Sequence, residues 1–303
     1  MDAMKINRPN ILISLYRGYG MGDAVQMSAV LRHVRKYRPD WIIDFQAQEG
    51  RYCVGRGIVD NVFAYDTPYP SKHYDGELQM ILYDNFVGWG DRPNTNVSKC
   101  LKDRFDLDWD PDCGRYKIEV SEQADQNAAR ITPRRCVALH YRGDSAADYK
   151  NLSHAMAAEI CDVVHEVAHY PLLIDWRNDC PIWQRRRVHA LGKYPDKGWG
   201  GDAEMNCAVI RRCDAFIGVD SGPAKCASAT ATPSLVVWTK HHPAVFHDPA
   251  PNTTHLIPVN HADLRPVKDC PAAVDFFRAH YNYLVYETDP VPEIRKWLNQ
   301  VLR

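Results

Sequence analysis

The chain has 303 residues, 45% of them hydrophobic and 25% charged, and a formal net charge of -1 at pH 7. That length exceeds what one core usually fills and predicts two domains, while the near-neutral charge gives no global electrostatic reason to bind nucleic acid or an anionic membrane. No apolar run approaches the roughly 20 residues that span a bilayer.

The start, MDAMKINRPN, leads into an apolar run too short for a signal-peptide core and without a small-residue cleavage site. The expectation is a cytoplasmic protein with no stable membrane insertion. Ten cysteines are dispersed without a C-x-x-C pair, which predicts reduced, mostly buried thiols. The spacing of Cys207, Cys213 and Cys226 fits no zinc pattern, so no metal site is assigned.

In chain order, residues 10–16 (NILISLY) read as a buried first strand, followed by the glycine-rich turn R-G-Y-G-M-G-D. Residues 24–37 read as a helix, with Val30, Val34 and Tyr37 at helical spacing and cations crowding its last turns. Pro39 ends it, and WIIDF (41–45) is a second strand, so this is a βαβ unit with a parallel sheet. Weaker strands are expected at 62–65 and 78–83, long loops with one short helix over 84–111, a strand at 116–120 and a helix at 122–130. ITPRR (131–135) reads as a linker, after which the pattern restarts. Strands are expected at 136–141, 171–175, 215–219, 234–238 and 255–259. Helices are expected at 153–169, 181–189, 202–213, 222–230, 272–280 and 291–302. The result is α/β: two successive Rossmann-like halves.

Three loops at the C-terminal ends of these strands carry candidate chemistry, where parallel sheets bind ligands. The strongest is G-V-D-S-G-P-A-K, 218–225. Asp220 and Ser221 suit an N-cap, Gly222 admits a close ligand, and Pro223 suits the first helical turn. The free amides favour an anion. Lys225 adds a cation that does not help the helix, which points to a ligand. In the second loop Gly18, Gly20 and Gly22 permit close approach, but the register is not that of a dinucleotide fingerprint or a P-loop. Asp23 there is either the helix N-cap or a general base. The third loop, Y-R-G-D-S-A-A-D-Y-K-N-L-S (141–153), offers Arg142 and Lys150 to a diphosphate, with Asp144 and Asp148 as reserve bases. The most basic run, Arg185–Arg186–Arg187, reads as a solvated helix face.

Three stretches resemble glycosyltransferase family 9, the heptosyltransferases of the GT-B fold: GMGDAVQMSAVLRHVRKYRPDWIIDF, YRGDSAADYKNLS and CDAFIGVDSGPAKCASATATPSLVVW. The resemblance covers both halves and is weakest over 46–131. It implies two Rossmann-like domains facing each other across a cleft: an acceptor domain over 1–133, a nucleotide-sugar donor domain over 134–285, and a C-terminal helix over 286–303 packing back on the first. It implies inverting, metal-independent transfer of a heptose or related sugar from a nucleotide-diphosphate sugar such as ADP-heptose to an acceptor hydroxyl, with no cofactor. Asp23 would be the base. Lys150 and the helix start near Gly222 would hold the diphosphate, and Asp220 would bind the sugar. The acceptor could be a glycan, a protein side chain or a modified base.

This chain departs from the family after D-S-G-P, where Ala224-Lys225 replaces the usual Met-His, and at 238–243, where WTKHHP replaces Gly-Pro-Thr. Two other readings stay open: a GT-B-like nucleotide-sugar epimerase or hydrolase, and a non-catalytic nucleotide-sugar-binding protein.

Overall fold

The computed structural model describes residues 8–67, 73–80, 95–143, 150–174, 182, 188–191, 201–238, 243–258, 264–267 and 289–302. The first unit is a parallel sheet of β1 (Asn10–Leu15), β2 (Ile42–Ala47), β3 (Asn61–Ala64) and β4 (Gly76–Met80), in the order β3-β2-β1-β4. Strand β1 reads as a nearly continuous apolar run because both faces are covered, as parallel sheets require. The crossover from β1 to β2 is α1 (Met21–Tyr37), whose end is set by Arg38 donating its N–H to the Val34 carbonyl, just before Pro39. Around it lie α2 (Thr95–Phe105), α3 (Pro111–Gly114) and α4 (Glu122–Ile131).

The second unit comprises β5 (Cys136–His140), α5 (His154–Glu166), β6 (Tyr170–Leu173), β7 (His189–Ala190), α6 (Ala203–Ile210), β8 (Ala215–Val219), α7 (Gly222–Ser228), β9 (Ser234–Val237), α8 (Pro243–Phe246), β10 (Thr253–Pro258), β11 (Leu264–Val267) and α9 (Val291–Val301). Its sheet runs β11-β10-β9-β8-β5-β6-β7, parallel except for the antiparallel β10–β11 pair at one edge.

Side chains alternate between the faces of a strand, and here the two faces belong to different cores. Val137, Leu139, Ile217, Val219, Leu235 and Val237 pack with Ile160, Val163 and Val164 of α5 and with Ile294, Trp297 and Leu298 of α9. The intervening residues Cys136, Ala138, Phe216, Val236 and Trp238 join α6, α7 and the whole core of the first unit in one continuous cluster. All eight described cysteines are free and buried, as the sequence predicts.

Three expectations change. Helix α1 begins at Met21, not at residue 24, which draws Gly22 and Asp23 into its first turn. Residues 116–120 form no strand. Their neighbourhood is an extended connector whose amides are taken by side chains: Tyr116 N–H donates to Asp248 (3.0 Å), Lys117 N–H to Ser28 (3.1 Å) and Ser121 N–H to Glu204 (2.7 Å). The one helix expected within 84–111 is α2, as the sequence predicts. The last helix, expected against the first unit, instead adds its apolar face to the second unit's core, with Arg295 paired to Glu166 of α5. Its apolar stripe is complementary to the face of the sheet that the first unit leaves open. The helix expected at 272–280, most of that expected at 181–189, Arg185, Arg186, Arg187, Asp144, Asp148 and 239–242 lie outside the described residues.

Candidate active site

In the second sheet, β6 and β7 extend to one side of β5, and β8, β9 and β10 to the other. The crevice at such a reversal lies outside the C-terminal ends of the two central strands. The loops leaving those ends are the one after β5, which carries Arg142 and Lys150, and the Asp220–Gly222 turn after β8. In the first sheet β2 and β3 lie on one side of β1 and β4 on the other, so the glycine loop after β1 leaves the equivalent place.

These loops meet. A β-carbon on Gly222 would stand 2.8 Å from Met21 Cβ and 3.1 Å from the Gly22 nitrogen, so the starts of α1 and α7 touch backbone to backbone, and only glycine fits. Ser221 caps α7, its Oγ accepting from Ala224 N–H at 3.4 Å, and Pro223 lies in the first turn, both as the sequence predicts. Asp220, 4% exposed, is held between two lysines: Lys225 Nζ lies 3.0 Å from Oδ1 and Lys150 Nζ 3.3 Å from Oδ2. Both lysines are themselves buried. Gly143 closes this side, with its N–H donating to Asn151 Oδ1 at 2.7 Å. Arg142 is buried next to it, its guanidinium 5.7 Å from the centre of the Tyr141 ring, and the Tyr141 hydroxyl is 2.8 Å from His154 Nδ1.

Asp23 is not the N-cap of α1. Gly20 holds that position, and Asp23, three residues on, accepts the Gly20 N–H at 2.9 Å. Its carboxyl lies in the field of Lys225, Lys150 and Asp220. Burial pushes its pKa up, against the pull of Lys225, the Gly20 N–H and Lys150, with Asp220 adding to the rise. Of the expected site residues, Asp23, Gly22, Lys150, Asp220, Ser221, Gly222, Pro223 and Lys225 thus surround one spot, with Arg142 beside it. Gly18 sits at the exposed tip of its loop and packs on Tyr16. A half-buried acid beside two cations can take a proton from one partner while the cations receive negative charge on another.

Residues that the sequence reading passed over hold these loops in place. Arg51 donates to the Tyr19 carbonyl (2.5 Å), and Gln48 donates to the Arg17 carbonyl, so the turn after β2 supports the glycine loop from below. The available signal was position, since the turn follows a strand of the same sheet edge. Gly50, at a φ of +71°, brings this turn against Asp202, and its carbonyl accepts the Ala203 N–H at 2.9 Å. Next to it Glu204 accepts from Arg56 (2.6 Å) and from Ser121 N–H (2.7 Å), tying α6 to the first unit.

Cys53, Asp202 and Glu204 present ligand atoms within 4.8 Å of one another. Both Glu204 oxygens hold other partners, and Asp202 caps α6 through the Met205 N–H. The trio reads as a joint between the units.

No protein-family profile and no curated sequence matches the chain. Solved structures do. A glycosyl transferase family 9 protein from Veillonella parvula superposes with a TM-score of 0.65 over 99% of both chains at 13% identity. The ADP-heptose lps heptosyltransferase II of E. coli gives a TM-score of 0.65 at 13% identity, over 97% of this chain and 98% of that one. The dodecameric iron-containing heptosyltransferase TibC of enterotoxigenic E. coli, solved with ADP-D-beta-D-heptose, gives 0.61 at 14% identity, over 98% of this chain and 77% of that one. The two parallel sheets, their facing edges and these superpositions together give the chain the GT-B fold, in the form shared by glycosyltransferase family 9 and heptosyltransferase structures.

Proposed function

We propose that the protein is an inverting glycosyltransferase that moves a heptose or related sugar from a nucleotide-diphosphate sugar to an acceptor hydroxyl. The observation that carries this reading is the meeting of Asp23 with the Lys150–Asp220–Lys225 cluster where the two sheet edges face each other. An alcohol is a poor nucleophile until a base takes its proton, and Asp23 is the acid on the acceptor side. As the acceptor oxygen bonds to the anomeric carbon, the bond from that carbon to the diphosphate oxygen breaks. The charge that develops there is met by Lys150, Lys225, Arg142 and the amides of Ser221 and Gly222. Asp220 accepts a sugar hydroxyl and fixes the face attacked. In this division of labour the lysines do what a divalent metal does elsewhere, so the reaction runs without one. Residues 1–133 serve the acceptor and 134–285 the donor. A neighbour solved with ADP-D-beta-D-heptose supports an adenosine donor.

The test has two stages. ADP-, UDP- and GDP-sugars are screened by thermal shift, since a specific donor stabilises the native state by mass action. The best is then incubated with candidate acceptors in EDTA, and the anomeric configuration of the product is read by NMR. Transfer with inversion is expected. Full-rate donor consumption without acceptor would make the protein a hydrolase or epimerase, and donor binding without turnover would make it a binding protein.

A further inference from the structure

Two thiols meet at the edge of the second sheet that lies away from the candidate site. Cys136 opens β5, and Cys213 sits between α6 and β8. Both therefore stand at the N-terminal ends of neighbouring central strands, whose C-terminal ends lead to Arg142, Lys150 and Asp220. Cys136 Sγ donates to Cys213 Sγ at 3.3 Å, and Cys213 Sγ donates to the Val209 carbonyl at 3.4 Å. The two backbones are already joined there, with the Asp214 N–H on the Cys136 carbonyl at 2.8 Å. Disulfide sulfurs stand about 2.05 Å apart, so closing a bond asks for a movement of little more than about 1 Å. Cys136 is fully buried, while Cys213 is 6% exposed and is the sulfur that an oxidant reaches first. Cys207 and Cys226 lie deeper, and their thiols are given to the Cys226 carbonyl (3.5 Å) and the Ala203 carbonyl (3.7 Å).

We propose that Cys136 and Cys213 are a latent disulfide site, which a hydroperoxide converts into a cross-link between the start of β5 and the chain entering β8. In the first step Cys213 Sγ attacks the peroxide, the O–O bond breaks, and a sulfenic acid and one water form. Cys136 Sγ then attacks that sulfur, its S–O bond breaks, and the hydroxide leaves as a second water with the Cys136 proton. The two thiols give two electrons to one hydrogen peroxide. Cys136 and burial together hold the Cys213 thiol well above its ordinary range, so the link forms slowly, over long exposure. It joins residues 77 apart in sequence, a span that contains α5, β6, β7 and α6. A cross-link of that span takes freedom chiefly from the unfolded chain. The folded backbones, already hydrogen-bonded at this point, lose little.

The full chain is reduced, freed of reductant and held in dilute hydrogen peroxide under native conditions, with a sample under argon as reference. The intact mass should fall by two hydrogens. A non-reducing peptide map should join the peptides that carry Cys136 and Cys213, and the melting temperature should rise by about 5 °C or more. Dithiothreitol should reverse all three changes. Cys136→Ser should show neither link nor rise, and where that variant does not fold, Cys213→Ser, which keeps a donor to the Val209 carbonyl, carries the same expectation. A link to any other cysteine, a gain of oxygen at Cys213 without a link, or an unchanged mass overturns the proposal, and so does a link that leaves the melt where it was. None of these readouts depends on sugar transfer, so the proposal stands or falls apart from the transferase reading.

Discussion

Asp23 holds its proton more tightly than an ordinary aspartate because burial outweighs Lys225, the Gly20 N–H and Lys150. For a base this moves the acid limb of the turnover profile to higher pH than a solvated carboxylate would give. Asp23→Asn should abolish that limb and lower turnover by about 10²–10⁴. The same substitution should tighten ADP binding, seen by calorimetry, because it removes a negative charge beside Lys150 and Lys225. The effect on stability follows from the direction of the shift. With the folded pKa raised, the native state binds the extra proton, so wild type gains stability relative to Asp23→Asn as pH falls toward the unfolded value and loses it as pH rises through the folded one. Parallel melts at pH 4 and pH 8 check this, and a constant difference between the two proteins would remove the basis for it.

Among elements, the contact between α1 and α7 is set by two glycines with unequal room. A β-carbon on Gly222 meets Met21 at 2.8 Å, whereas one on Gly22 meets Lys225 and Gly222 at 3.4–3.5 Å, an ordinary contact. Gly222→Ala should therefore cost about 1–3 kcal/mol in a urea melt, while Gly22→Ala, which also favours the helix, should be neutral or mildly stabilising. The joint between α6 and the first unit behaves differently. Burial raises the Glu204 carboxyl, but the bonds from Ser121 and the charge of Arg56 outweigh it, and the net pKa is lowered. Its contribution is present above the ordinary glutamate range and lost as pH falls through the folded value. Glu204→Gln should cost about 1–3 kcal/mol at pH 7 and much less at pH 3.5.

Much at this scale was legible in the sequence. The strand over 215–219 and the Ser221 cap needed only an apolar run and a capping residue. Helix α4 was legible at 122–130 without its Ser121 cap, and Lys150, Asp220 and Gly222 followed from the rule that ligands lie at strand ends. What escaped were features held by distant partners. The connector at 116–121 has strand-forming residues, but its amides are answered by Asp248, Ser28 and Glu204 from remote parts of the chain. Likewise, Asp23 fits an N-cap by spacing until Gly20 is seen to take that place.

At the scale of the molecule, two sheets need not mean two independent domains. One apolar cluster runs from Ile13 and Phe45 of the first sheet through α1, α6 and α7 to Phe216 and Trp238 of the second. Interfaces that permit large relative motion are smaller and more polar than this. Unfolding should therefore be a single transition, coincident by far-UV circular dichroism and tryptophan fluorescence, with calorimetric and van't Hoff enthalpies in agreement. Two resolved transitions would mean that the shared cluster contributes little. The alternation along the second sheet has a further consequence, this time for sequence change over generations. Val137 answers only to its own half, whereas Ala138, one step along the same strand, answers to both. Drift at the first kind of position can be absorbed by a neighbour in α5 or α9. Drift at the second must be matched by a change in the other half of the chain, so adjacent residues of one strand evolve under different constraints.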